Sequence, residues 1–287
     1  MVFRTQLFNR VTIVGVGLIG GSLGLAIRKH NIAREIFGVS RQSFTLGHAL
    51  KMKAIDKGFH DIKEGVKHAD FVILATPVGS IVGLLQHIGP YLKRNCIVTD
   101  VGSTKVSIVD AAKKNLPSPS FFVGSHPLTG SEKKGVIYAH DQLFENSTCV
   151  MTPTDITNRL ARDKVKHFWT KIGAKVRMVS PDEHDQILAY ISHLPHLLAF
   201  GLMEAVPPEF LGYATQRLKD TTRIASSSPQ LWNDICLANA KHILKSLDEV
   251  VKNLSLYRKA IVTKDEKELT EHFQKAKTKR DEVDKNG

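Results

Sequence analysis

The sequence predicts an α/β fold: a doubly wound, mainly parallel sheet over residues 1–180, followed by an all-helical domain over residues 181–287. Three observations carry this expectation. A glycine-rich strand-to-helix turn stands at residues 11–28, short apolar runs alternate with helical stretches as far as Val179, and no strand pattern recurs beyond Ser180. A length of 287 residues is enough for two domains with their own cores. Apolar and charged contents of 42% and 24% place the chain among ordinary globular proteins rather than disordered ones.

The turn reads VTIVGVGLIGGSLGLAIR, with Gly15, Gly17 and Gly20 at GxGxxG spacing. In a Rossmann-like unit the first glycine permits the tight turn, the second lets backbone approach a pyrophosphate, and the third lets helix and strand pack closely. Leu18 and Ile19 open the helix, whose unpaired N–H groups and positive dipole end face the phosphates. A secretory leader is the competing reading, because Arg4 and Arg10 precede the apolar run. The glycines inside it, the lack of a small-residue cleavage site and the passage into Arg28-Lys29-His30 argue against that.

The second strand, residues 36–39, ends in Ser40-Arg41, where an acid would hold the ribose 2′-hydroxyl of NAD. A hydroxyl and a guanidinium suit a 2′-phosphate, so NADP is expected over NAD, with NAD the alternative. A lysine-rich helix and a short segment at 59–62 follow. Then come a strand at 71–75 closing on Thr76-Pro77, a helix at 81–88, and a strand at 96–99 leading to Ser103. A further strand at 121–124 leads to His126 and Pro127. Ligands of such sheets bind outside the carboxyl ends of the strands, so Ser40, Thr76, Ser103 and His126 are expected in one crevice. His126 is the candidate acid–base group, with Ser103 as its partner.

Residues 155–172 read as an amphipathic helix and 175–179 as the last strand. Ser180-Pro181-Asp182-Glu183 forms a capping box at the domain boundary. In the helix that follows, to about Ala205, Ser192 and His196 share a face and Pro195 is expected to kink it. His193 and His196 have HxxH spacing, but no third or fourth ligand presents itself, so no metal is expected. After Ser228-Pro229, residues Ala240, Ile243, Leu247, Val250, Leu254, Tyr257 and Ile261 make a heptad stripe. Thr263 to Glu266 forms a second capping box. Cys96, Cys149 and Cys236 lie far apart without CxxC spacing and read as reduced thiols. The formal charge of +12 comes from scattered lysines without interleaved aromatics, so no nucleic-acid partner is expected. No stretch beyond the glycine run reads as a membrane span, and a cytoplasmic location with no membrane partner is expected.

The glycine turn, DVGSTK at 100–105, GSHPLTGSEKKG at 124–135, LFEN at 143–146 with Thr152-Pro153, SHLPH at 192–196, and KDTTRIA at 219–225 followed by Trp232 stand in register over nearly the whole chain. Together they resemble the prephenate/arogenate dehydrogenase family of tyrosine biosynthesis. The resemblance implies oxidative decarboxylation of prephenate to 4-hydroxyphenylpyruvate with hydride transfer to the nicotinamide. It implies that His126 accepts the hydroxyl proton, that Ser103 bonds substrate and orients His126, and that Arg223 pairs with the ring carboxylate. Ser192, His196 and Trp232 would contact the substrate tail or the pocket wall, and Glu132 aligns with an acid near the entrance. It also implies a homodimer through the C-terminal helices. From the sequence itself, no regulatory domain is expected after the last helix and no chorismate mutase segment before the glycine turn.

Family members commonly carry a glycine-rich stretch before KDTTRIA, where this chain has Ala214-Thr215-Gln216-Arg217. That puts the local loop geometry in question. Retention of His196 resembles prephenate users, whereas Ser40-Arg41 resembles NADP users, among which arogenate enzymes are frequent. Two other classes compete: an NADP-binding sensor without catalysis, and a hydroxy-acid dehydrogenase with a helical second domain. The first gives no reason for Ser103, His126, Ser192, His196 and Arg223 to occur together, and the second lacks an evident catalytic lysine or histidine–acid pair.

Overall fold

The chain enters its sheet through β1 (Phe8–Val14), turns at the glycines into α1 (Leu18–Lys29) and returns as β2 (Ala33–Val39), parallel to β1. The same winding gives α2 (Ser43–Lys51), β3 (Lys57–Phe59), α3 (Ile62–Val66), β4 (Phe71–Leu74), α4 (Val78–Ile88), β5 (Ile97–Asp100), α5 (Val106–Asn115) and β6 (Phe122–Pro127). Then come β7 (Thr148–Thr152), α6 (Arg159–Lys171) and β8 (Lys175–Met178), so that one sheet runs in the order β3-β2-β1-β4-β5-β6-β7-β8. The computed structural model describes residues 6–117, 121–130 and 133–286.

Alternation along each strand supplies both faces of the sheet with apolar side chains. In β4, Phe71 and Ile73 join a core under α1, α2 and α6 that includes Leu23, Ile27, Leu46, Phe168 and Trp169. Val72 and Leu74 join the opposite core, with Ile81 and Leu85 of α4 and Ile108 of α5. Among the described residues only β6 and β7 pair antiparallel, with His126 opposite Val150. The sequence reading ended the strand at Gly124 and assigned no strand at β7. The antiparallel partner extends β6 to Pro127, so His126 is a strand residue with its backbone in a ladder, not a loop residue. Asn158 caps α6 through a bond from the Ala161 amide (3.0 Å), which starts that helix after the expected Asp155.

From Pro181 onward the described residues are helical. α7 (Pro181–Leu188) is capped by Ser180, passes through a π-helical turn at Ala189–His193, and continues as α8 (Leu194–Ala205). The wide turn precedes Pro195, which sits in the first turn of α8 where its missing N–H is tolerated. At 25 residues, Pro181–Ala205 is long and apolar enough by composition to cross a membrane, which the sequence reading overlooked. His184, Asp185 and His193 on it are nonetheless buried in protein and hydrogen-bonded. α9 (Gln216–Thr222) and α10 (Pro229–Ala238) complete the first of two units, Met1–Asn239. Residues 214–217, in place of the glycines, open α9: Thr215 precedes its first turn and Gln216 bonds Asp220 (2.8 Å).

The second unit, Ala240–Gly287, is a helical hairpin of α11 (Ala240–Thr263) and α12 (Glu266–Asn286). Tyr257 of α11 packs edge-on against His272 and Phe273 of α12. Asp265, not Thr263, caps α12, accepting from the Glu268 amide at 2.9 Å. Of the heptad stripe, Leu254 and Ile261 are exposed, as are the neighbouring Leu244 and Val251.

Beneath the carboxyl edge of the sheet lies a fully buried ion pair, Lys105 with Asp100. Asp100 also accepts from the Gly102 amide (2.8 Å) and the Ser125 amide (3.2 Å), and Lys105 Nζ donates to the Ser125 carbonyl (2.9 Å). These bonds tie the loop after β5 to the residue preceding His126. Removing one partner of a saturated buried pair strands the other charge, so Lys105→Met should lower the unfolding free energy by roughly 3–5 kcal/mol, measured by urea denaturation.

Candidate active site

The strand order places the crossover from β3 to β4 beside β1, so the crevice between the carboxyl ends of β1 and β4 is the topological switch point. Gly15 follows β1 at φ +94°, and a Cβ there would stand 2.6 Å from the Ala75 carbonyl oxygen after β4. A Cβ on Gly20 would strike the Gly15 carbonyl. Gly17 has no such internal reason: nothing lies within 4 Å of where its Cβ would be. It precedes α1 without any side-chain cap, so the first amides of Leu18, Ile19 and their neighbours are left for a ligand. Thr76, whose side chain lies against Gly15, carries a buried hydroxyl oxygen with no partner among the described residues, and Pro77 is exposed at the start of α4. These residues fit the pyrophosphate of a dinucleotide.

At the end of β2, Ser40 accepts from the Gln42 amide (3.2 Å) and offers its carbonyl to His60 Nδ1 (3.0 Å). Arg41 is exposed, and no ion pair or hydrogen bond of its side chain occurs among the described residues. His60 was not singled out in the sequence; it comes from the loop after β3 and reaches Ser40 only through the β2–β3 pairing.

A cavity of about 500 Å³ opens at the carboxyl end of β6, lined by His126, Pro127, Leu188, Ile191, Ser192, His196, Ile224 and Ser227 among others. The structure thus brings His126, Ser192 and His196 together. His196 Nδ1 donates to the Ser192 carbonyl (2.9 Å), and its ring stacks on Trp232 at 3.7 Å between centroids and 24° between planes. Trp232 is buried in α10. Burial lowers the pKa of His196 and takes that of His193 down to about 4. Ser103 is half-buried in the loop after β5 and makes no hydrogen bond to His126. Arg223 is exposed at the end of α9 and outside the cavity lining, although the next residue, Ile224, belongs to it. Glu132 lies outside the described residues. Among those residues no group of three or more His, Cys, Asp or Glu side chains is placed to hold a metal ion.

The partner of His126 is one the sequence reading missed. Its Nδ1 lies 2.9 Å from His184 Nε2, and His184 Nδ1 lies 2.8 Å from Asp185 Oδ1. Asp185 accepts in addition from the Lys105 amide (2.7 Å) and the Val106 amide (3.0 Å) at the start of α5. Asn239 donates to the Asp185 carbonyl (2.7 Å) and bonds His193 Nδ1 (3.1 Å). Burial foremost, then the charges of His184, Lys105 and His193, holds the His126 pKa well below 6.5. Burial also lowers that of His184, against the opposing pull of Asp185. A histidine followed by an aspartate in the first turns of a helix carries no motif, and nothing local to the sequence marked the pair.

Comparison with known proteins shows the family. The family model described as prephenate dehydrogenase, nucleotide-binding domain, matches residues 23–178, and that described as prephenate dehydrogenase, dimerization domain, matches residues 180–275. The prephenate dehydrogenase of Bacillus subtilis (strain 168) is 37% identical over 283 residues, covering 96% of this chain and 76% of the relative. The cyclohexadienyl dehydrogenase of Zymomonas mobilis is 32% identical over 95% of each chain. The crystal structure of prephenate dehydrogenase from Aquifex aeolicus with hydroxyphenyl propionate and NAD+ superposes with a TM-score of 0.89 at 33% identity, covering 99% of this chain and all of that one. With the two family models matching residues 23–178 and 180–275 and relatives 37% and 32% identical over nearly the whole chain, this chain belongs to the prephenate dehydrogenase family of nicotinamide-dependent oxidoreductases.

Proposed function

We propose that this protein catalyses the oxidative decarboxylation of prephenate to 4-hydroxyphenylpyruvate, with NADP as hydride acceptor and NAD as the alternative. The observation that carries the reading is the cavity in which a neutral His126, held on a strand, faces Ser192 and His196 in a chain 37% identical to a prephenate dehydrogenase. The nicotinamide, when bound, accepts the hydride from the ring carbon that bears the hydroxyl. His126 takes the hydroxyl proton, a contribution of about 10²–10⁴-fold for a positioned base. Ser103 supplies a hydroxyl to the substrate. Arg223, next to the cavity wall, is assigned to the ring carboxylate, for which a planar guanidinium offers paired donors. Ser192, His196 and Trp232 receive the tail. Aromatisation as carbon dioxide leaves drives the step, so the protein needs only to position, deprotonate and exclude water.

Arogenate is the second reading, favoured by one feature. Because His196 Nδ1 donates to the Ser192 carbonyl, Nε2 of the neutral ring is an acceptor, which suits an ammonium on the tail. The apolar exposed face of α11, with Leu244, Val251, Leu254 and Ile261, supports a homodimer through the second unit.

Following reduced nicotinamide absorbance with prephenate or arogenate and NADP or NAD, in all four pairings, tests the substrate and cofactor together; prephenate with NADP should be fastest. Arg41→Ala should then raise the Michaelis constant for NADP roughly tenfold or more and leave that for NAD unchanged, since only the 2′-phosphate meets the guanidinium.

His126→Asn should lower kcat at least 100-fold with little change in the Michaelis constant for substrate. Because His126 must be neutral to act and its pKa lies below 6.5, kcat/KM should stay level through neutrality and fall only on the acid side of pH 6.5. Gly17→Ala should weaken cofactor binding without lowering the melting temperature of the free protein, because its methyl group enters open space.

A further inference from the structure

A base that receives the substrate proton needs a ring nitrogen free of hydrogen on the side facing the cavity, and a neutral imidazole carries its one hydrogen on either nitrogen. The surroundings of His126 leave no choice between them. Asp185 is buried, and its two carboxylate oxygens both accept, from the Lys105 and Val106 amides at the first turn of α5. A carboxylate oxygen only accepts, so the hydrogen of His184 sits on Nδ1, 2.8 Å from Asp185 Oδ1. His184 Nε2 is then an acceptor. It lies 2.9 Å from His126 Nδ1, which must be the donor, and the lone pair of His126 is therefore on Nε2.

From this geometry we propose that His184 and Asp185 are positioning residues for the reaction: the pair holds His126 in the Nδ1–H tautomer and steadies the imidazolium formed when Nε2 accepts the substrate hydroxyl proton. This rests on His126 being the base. In the step, the proton passes from the substrate oxygen to Nε2, and the Nδ1–H bond to His184 stays in place. Among the described residues, the other titratable groups about His126 are His193 of the π turn, Lys105 of the segment after β5, and the Cys149 thiol of β7, which meets the His126 backbone and which burial keeps protonated. The charge of Lys105 is matched by Asp100, so Asp185 is the anion at the end of the histidine chain. Asp185 also anchors α5 to α7, which sets the ring of His184 at the right height against β6.

The test compares His184→Leu, which keeps bulk but no acceptor, with His184→Gln, whose amide oxygen can still accept from His126 Nδ1. His184→Leu should lower kcat about 10²–10⁴-fold, up to the scale of losing a tautomer-setting partner, with the Michaelis constants for substrate and cofactor little changed. His184→Gln should restore at least tenfold of that loss. Added to His126→Asn, His184→Leu should cost nothing further, because it acts through the same ring. A kcat for His184→Leu within threefold of the parent, in a protein that loses 100-fold on His126→Asn, would overturn the proposal while leaving the base assignment standing. Full activity of His126→Asn would overturn both. Independently of any variant's folding, long-range proton–nitrogen spectra of the unmodified protein near pH 7 should show His126 as the Nδ1–H tautomer, and an Nε2–H tautomer would refute it.

Discussion

One buried carboxylate organises the site. Asp185 of α7 meets the first amides of α5 and the ring of His184, and so joins the loop after β5, the first helix beyond the sheet and, through His184, the last-but-one residue of β6. A charge so placed is tolerable because each bond it accepts replaces one lost to water; left with fewer, it would oppose folding. The Asp100–Lys105 pair below it meets the same condition with its own set of backbone partners. Two hydrogen-bonded polar clusters thus stand where the sheet ends, and both bear on the strand that carries His126.

At the glycine turn the backbone, not the side chains, sets the geometry. Gly15 and Gly20 are there because the main chain crowds itself, whereas nothing in the protein crowds Gly17, whose open face suits the approach of the proposed cofactor. Their contrast separates what the fold needs from what a ligand would need within three glycines at GxGxxG spacing. The uncapped start of α1 and the partnerless hydroxyl oxygen of Thr76 belong to the second class: buried or half-buried polar groups that protein alone does not satisfy.

The cavity combines these demands with an apolar wall. Leu188 and Ile191 from the α7–α8 run and Ile224 after α9 form its apolar wall, while His126, Ser192 and His196 line it with polar groups. The π-helical turn at Ala189–His193 matters here because it shifts the register of the helix by a residue, presenting Ser192 and His196 to the cavity and turning His193 into the interior, where Asn239 meets it. Trp232 backs His196 from α10 and fixes its ring plane.

Local signals in the chain determined much of this. The glycine spacing and the alternation of apolar runs announced the parallel sheet and the carboxyl edge on which Gly15, Ser40, Thr76, Ser103 and His126 lie, because such patterns depend on neighbours only a few residues away. The motifs likewise marked Ser192 and His196, whose shared helix face follows from their spacing. What the tertiary structure decided is everything that depends on distant partners. β7 became a strand because β6 was there to pair with it antiparallel, and that pairing moved His126 from a loop onto a strand. His184 meets His126 across 58 residues and Asp185 meets Lys105 across 80, separations over which no periodicity or spacing rule operates. Which buried polar group finds which partner is settled only when the elements pack.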